Sequence, residues 1–300
     1  MSRPRPAYPG RILMLTRRCT QRMFLLRPSK EVNRIIAYCL AEAAGHCEME
    51  VLWFAAQANH IHFGIYDKEG VYPVFIQRLH KNIATLLNVA HGRWENLWAS
   101  EQTSVVHCTD PKSVFEKMIY SLTNFVKDQI VARAFDWPGV SSLPKQLADA
   151  ALTETRPVGY FADGTAMPEE VSLRFSRPHV FDHLSHEQWA DMIRAAVHDV
   201  ERKAAEEREQ TGRRVLGRKA VLAQSPFDRP DSHEPRREMS PRVAGKNKWA
   251  RIEALQRCAQ FLTDYADALA AYRDGQTDVV FPFGTYKLRV EGHVCCRAAA

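Results

Sequence analysis

The chain has no CxxC pair, no GxxxxGK(S/T) loop, no internal repeat, and no apolar run near the roughly 20 residues a helix needs to cross a bilayer. The first absence excludes a zinc ribbon, and the second excludes a P-loop nucleotide site. Without an apolar span, no membrane partner is expected. The opening MSRPRPAYPG is basic but leads into no apolar stretch, so nothing reads as a secretory signal. Seven cysteines, an odd number without the spacing of a disulfide framework, suit a reducing compartment. The expected location is therefore the cytoplasm.

What the chain does have is an ordinary globular composition over 300 residues, 45% apolar and 25% charged, with a net charge of +6. That length accommodates one domain of ordinary size plus additions. The charge is unevenly spread. Residues 1–35 hold nine Lys or Arg against Glu31 alone, and residues 213–251 hold eleven against four acidic residues. Such clusters suit a polyanion, although a solvated arm or linker has the same composition.

Residues 11–18 read as a strand, and Ser29 as the cap of a helix whose apolar positions Val32, Ile35, Ile36, Leu40 and Ala43 follow a 3.6-residue period up to Gly45. Two strand-like runs, 48–56 and 60–66, flank a short turn at Gln57, Ala58 and Asn59. A helix over about 73–91 ends at Gly92, a strand lies within 97–108, and Asp110 with Pro111 starts a third helix. This order predicts an α+β fold, a ferredoxin-like (split βαβ) antiparallel sheet with helices on one face, plus a mostly helical C-terminal extension. The expected organisation is a domain over 1–143, a linker and helical extension over 144–210 with a short strand at 170–175, a basic flexible segment over 211–245, and a C-terminal helix with a candidate hairpin near Pro282, Phe283 and Gly284 over 246–300, to which no role is assigned.

Strand alternation places His60, His62, Gly64 and Tyr66 on one face and Ile61, Phe63 and Ile65 on the other. Two imidazoles then stand side by side, spaced to bind one cation, with a glycine that lets a phosphate approach. Paired histidines on a strand also occur as plain surface residues. On the third helix, Phe115, Met118, Ile119, Leu122, Val126 and Ile130 form the buried stripe, and Tyr120, Asn124 and Lys127 stack off it. The plainer alternative is an amphipathic helix with a tyrosine at the core edge.

Together, in this order, Asn59-His60-Ile61-His62 and Tyr120-Ser121-Leu122-Thr123-Asn124-Phe125-Val126-Lys127 resemble the strand and helix motifs of single-tyrosine HUH endonucleases, particularly the REP-associated tyrosine transposases. The resemblance covers about residues 8–143 and includes Leu79-His80, Asn88, His91-Gly92, Leu97-Trp98 and Asp136-Trp137-Pro138. Phe125 stands where the family often has proline, Lys127 where it often has arginine, and Glu101 where many relatives have arginine. The resemblance implies that His60, His62 and Asn124 hold Mg²⁺ or Mn²⁺, and that Tyr120 cuts and rejoins single-stranded or hairpin DNA through a 5′-phosphotyrosine link. It also implies a monomer or homodimer, associated with the nucleoid when DNA is bound. Arg17, Arg18, Arg22 and Lys127 are the expected DNA contacts, with Trp94 and Trp98 as candidates for base stacking and the core as the commoner place for tryptophan.

Three other readings stand beside it. The first is a domesticated hairpin-binding protein of the same fold. The second is an RNA-recognition-like platform without chemistry, which Phe63 on the face away from the histidines disfavours. The third is a zinc hydrolase completed by cysteine, His80 or His107.

Overall fold

A computed structural model describes residues 4–162, 164–232 and 241–298. The expected basic segment falls partly on 233–240, outside the described residues. In chain order the first elements are β1 (Arg11–Arg18), α1 (Lys30–His46), β2 (Glu50–Ala56), β3 (His60–Asp67), α2 (Tyr72–Ala90), β4 (Ser104–Cys108) and α3 (Pro111–Lys127). Then follow α4 (Leu143–Leu147), β5 (Leu152–Thr155), β6 (Glu170–Leu173), α5 (His186–Thr211), α6 (Arg218–Ala223), β7 (Val243–Ala244), α7 (Lys248–Arg273), β8 (Val280–Phe281), α8 (Lys287–Glu291) and β9 (Cys295–Cys296).

The helix starts follow their local chemistry. Ser29 Oγ accepts the Val32 N–H at 3.1 Å, which caps α1. Asp110 accepts the Ser113 N–H at 2.8 Å, with Pro111 at the first position of α3. That helix stops at Lys127, short of Ile130, because Gln129 turns the chain with a φ of 57°.

The sheet runs β2-β3-β1-β4-β7, antiparallel except for the β4–β7 pair. Its first four strands have the split βαβ order. One face, with Leu13, Leu15, Phe54 and Phe63, packs against α1 and α2. The expectation of helices on one face describes this pair. The other face, with Ile12, Met14, Leu52, Trp53 and Val106, packs against α3 and α5. Leu52 and Trp53 both point to that side because β2 slips register between Val51 and Trp53, a bulge that interrupts the alternation.

Most of the chain beyond residue 143 returns to this core. The β5–β6 hairpin lies on α1, and α5 lies along α3. Trp189 on α5 is buried beside Phe115 and Phe181, at centroid distances of 5.9 and 5.0 Å. The start of the basic segment is held by the Leu216 and Gly217 N–H groups, which donate to the Gln129 and Ile130 carbonyls at 3.0 and 2.9 Å. It resumes as β7, the fifth strand. The candidate hairpin near Pro282 is corrected: β8 pairs with β9 in parallel, across α8, and a parallel pair cannot close as a hairpin. None of the described helices is long and apolar enough to cross a membrane.

Since Trp189 is buried between α5 and the tyrosine helix, Trp189→Ala is expected to cost roughly 3 to 5 kcal/mol of stability, read by urea unfolding. A loss below about 1 kcal/mol is the outcome that contradicts this packing.

Candidate active site

The pairing of β1 with β3 sets Thr16 opposite His62 and Arg18 opposite His60. His60 Nδ1 donates to Asn59 Oδ1 at 2.7 Å, while the Asn59 amide nitrogen donates to the Arg22 carbonyl at 3.2 Å. An amide oxygen only accepts, so His60 carries its ring proton on Nδ1 and, when neutral, presents a lone pair at Nε2. His62 Nδ1 is 2.8 Å from Thr16 Oγ1, and the two Nε2 atoms face each other at 3.0 Å.

Burial, and then the charge of Arg18, pushes the His60 pKa down to about 3. Burial also holds His62 well below the usual imidazole range, helped by His60, Arg18 and Lys117. Both rings are thus in the neutral form that binds metals. Adjacent ligands on an octahedral cation with bonds of 2.0 to 2.1 Å lie about 3 Å apart, which is the spacing of these nitrogens. Oxygen partners on both Nδ1 atoms are the outer contacts that orient metal-binding histidines. The residues therefore fit a divalent cation. Asn124, buried on α3, makes no side-chain hydrogen bond among the described residues, which leaves its carbonyl oxygen as the third candidate donor. No group of three His, Cys, Asp or Glu occurs among the described residues.

Tyr120 is 38% exposed, with its ring centroid 5.5 Å from that of His62 in the same chain. Lys127 Nζ lies 5.2 Å and Lys117 Nζ 6.0 Å from the centre of the Tyr120 ring. Phe125, next to Asn124 on α3, stacks on Trp137 at 5.0 Å with an interplanar angle of 8°.

The structure thus gathers His60, His62, Tyr120 and Lys127, with Arg18 beside His60 and Asn124 one helical turn beyond Tyr120. Arg17 and Arg22 are turned to other partners. Arg17 donates to the Glu101 carbonyl, and Arg22 donates to the Ser232 carbonyl and, at 3.2 Å, to its hydroxyl. Trp98 is buried, its indole N–H on the His80 carbonyl at 2.9 Å, so base stacking is corrected for it; Trp94 is 91% exposed. His80 is buried on the α1/α2 side, between Phe63 and Trp98, and His107, opposite Leu13, is five residues along β1 from Arg18, the residue opposite His60.

The reading of Gly64 is also corrected. A Cβ there would lie 2.4 Å from the indole of Trp53, so the missing side chain makes room for a ring and not for a phosphate. The same indole donates through Nε1 to Ser121 Oγ at 3.1 Å, next to Tyr120. Thr16, Lys117, Trp53 and Ser121 were not foreseen as contributors. The signal for Thr16 was a hydroxyl on the strand face that otherwise carries Ile12 and Met14. Trp53 needed the bulge, which leaves no local signature.

Two outcomes follow. Gly64→Ala should displace Trp53, lower stability by roughly 1 to 3 kcal/mol, and move Tyr120 relative to His62, read by urea unfolding and a crystal structure. An unchanged Trp53 rotamer contradicts this. His80, buried and neutral, has its pKa lowered to about 3 by burial and then by Arg17. Its contribution is full above the unfolded value of about 6.5 and is lost toward pH 3 at up to about 1.4 kcal/mol per pH unit. His80→Phe should flatten that slope between pH 6.5 and 4, and an unchanged slope refutes it.

No protein-family profile matches the chain, and no curated protein does. Among solved structures, one from Deinococcus radiodurans R1, provisionally described as a transposase, is similar at 17% identity and a TM-score of 0.30, over 43% of this chain and 98% of that one. The structure is likewise similar to that of a REP-associated tyrosine transposase bound to a REP hairpin, at 17% identity and a TM-score of 0.42, over 56% of this chain and 95% of that one.

Proposed function

We propose that this protein is a metal-dependent, transposase-like DNA strand transferase that cleaves and rejoins single-stranded DNA through Tyr120. The observation that carries the reading is the convergence of two neutral imidazole nitrogens, 3.0 Å apart, beside an exposed phenol whose ring is 5.5 Å from His62. In this reading His60, His62 and the Asn124 carbonyl hold Mg²⁺ or Mn²⁺, which would polarise the scissile phosphate.

The chain's own residues supply the rest. Thr16 and Asn59 orient the two rings from behind. The Tyr120 oxygen attacks phosphorus, forming a P–O bond to tyrosine and breaking the bond to the 3′ oxygen. The phenol proton leaves to solvent, and the departing 3′ oxygen takes one up, so the step balances without a co-reactant. Rejoining is the reverse, since a phenolate leaves more readily than an alkoxide. Lys127 and Lys117 offset negative charge on the phosphate and on the departing phenolate. Because Tyr120 and His62 meet within one chain, the reading has one chain completing the site. Hairpin or single-stranded DNA is the proposed partner, with Arg18 and Lys127 at the phosphates and exposed Trp94 available for stacking.

Denaturing electrophoresis of the full chain with labelled single-stranded DNA and Mg²⁺ tests this. Wild type should give a covalent adduct that EDTA prevents and Tyr120→Phe abolishes. Thr16→Val should slow its formation by about 10- to 100-fold, with Thr16→Ser restoring most of the rate. An adduct that survives Tyr120→Phe refutes the nucleophile.

A further inference from the structure

Helix α7 is held to the rest of the chain along one narrow side. Ala254, Cys258 and Phe261 are its buried residues. Phe261 packs on Tyr8 and Tyr265 on Phe281, at centroid distances of 6.2 and 5.7 Å. Beside this side runs a second apolar stripe. Ile252, Leu255, Ala259, Leu262, Ala266 and Leu269 recur at alternating steps of three and four residues, the seam that one helix offers another. Leu255 is 46% exposed, Ala259 and Ala266 are exposed, and Ile252, Leu262 and Leu269 are half-buried. Single exposed apolar residues are ordinary, but a continuous stripe over about five turns marks a contact surface.

Two features name what covers it. The first is size. In a head-to-tail pair of α7 helices, with a two-fold axis between Gln260 and Phe261, Ile252 lies opposite Leu269, Leu255 opposite Ala266, and Ala259 opposite Leu262. Alanine then meets leucine in two of these three kinds of layer, so the large side chain fills the space that the small one leaves. The second feature is charge. Residues 248–260 carry Lys248, Arg251 and Arg257 against Glu253, a net of +2. Residues 261–274 carry Asp264, Asp267 and Asp274 against Arg273, a net of −2. This order opposes the helix macrodipole, which favours acidic residues at the start and basic ones at the end. In an antiparallel pair the same order is favourable, because the positive half of each helix lies along the negative half of the other.

We propose that α7 is a self-association surface, and that its partner is α7 of a second copy of this chain, packed antiparallel. Two faces about 39 Å long and about 10 Å wide cover roughly 800 Å² in total, below the roughly 1,200 Å² at which stable interfaces begin. The dimer is therefore concentration-dependent, with a Kd of about 1 to 100 µM. The pairing does not rest on the function proposed above, since each chain brings Tyr120 and His62 together by itself.

Sedimentation equilibrium of the full chain, from about 2 to 200 µM, is the test. Wild type should pass from monomer to dimer over this range. Leu255→Asp places a charge on the seam at an exposed helical position, and should weaken the dimer at least about tenfold while circular dichroism stays unchanged. Gln260→Ala, off the seam, should leave the dimer as it is. Raising NaCl from about 0.05 to 0.5 M should weaken the wild-type dimer by about threefold, since the attraction between opposite halves is screened. A dimer indifferent to salt contradicts the antiparallel order. A wild type that stays monomeric at about 200 µM overturns the proposal and leaves the seam to a different protein. A dimer that persists in Leu255→Asp, or is lost equally in Gln260→Ala, also overturns it. No DNA or metal enters the measurement, so its failure is distinguishable from failure of the tyrosine adduct.

Discussion

The indole of Trp53 determines how far the tyrosine helix stands from the sheet. It fills the space over Gly64, on the strand that carries both histidines, and its N–H holds Ser121, the residue after Tyr120. Ser121 Oγ in turn donates to the Lys117 carbonyl at 2.8 Å, so the link reaches the α3 backbone one turn back. Histidines on a rigid strand and a phenol on a separate helix can act on one phosphate only if the gap between the two elements is fixed to a fraction of an ångström. A large, stiff, buried side chain with one polar anchor does this better than an aliphatic contact. The bulge between Val51 and Trp53 is the backbone feature that turns the ring to this face.

Around that gap, burial keeps His60 and His62 neutral, Lys127 and Lys117 lie 5.2 and 6.0 Å from the centre of the Tyr120 ring, and Arg18 stands opposite His60 in the strand pairing. Arg17 and Arg22, the other arginines of the first strand region, are used differently. Both donate to backbone carbonyls, at Glu101 and Ser232, and so fasten loops at the rim. Arg22 and Gln21 hold φ values of 60° and 48°, a left-handed pair for which the Asn59 amide and the Ser232 contacts provide anchors.

The local parts of this structure were legible in the sequence. The strand over 11–18, the Ser29 cap and the Asp110-Pro111 start are set by neighbouring residues, and each element begins where its chemistry says. The pairing of His60 with His62 on one strand face, away from Phe63, was legible for the same reason. What was not legible depends on contacts distant in sequence. Gly64 read alone suggests open space, and only its partner Trp53 shows the space to be filled. Residues 280–296 contain turn-forming Pro and Gly, but β8 found β9 in parallel, a choice that tertiary packing makes. Charge alone could not tell which arginines face a ligand and which hold a loop.

The length beyond residue 143 has a mechanical consequence for the tyrosine helix. On one side α3 rests on the sheet through Leu122 and Val126, and on the other it is covered by α5 through Trp189 and Ile193. Two polar ties fix the junction at its C-terminal end: Glu201 accepts the Ala134 N–H at 2.7 Å, and Arg208 donates to Gln129 Oε1 at 2.9 Å. A helix gripped on two faces keeps a third face exposed without swinging, and that third face carries Tyr120 and Lys127. The added chain therefore confines the phenol to the neighbourhood of His62. In the reaction proposed above, Tyr120 stays bonded to the phosphate until a 3′ hydroxyl displaces it, so the phenol would have to keep one position through both steps.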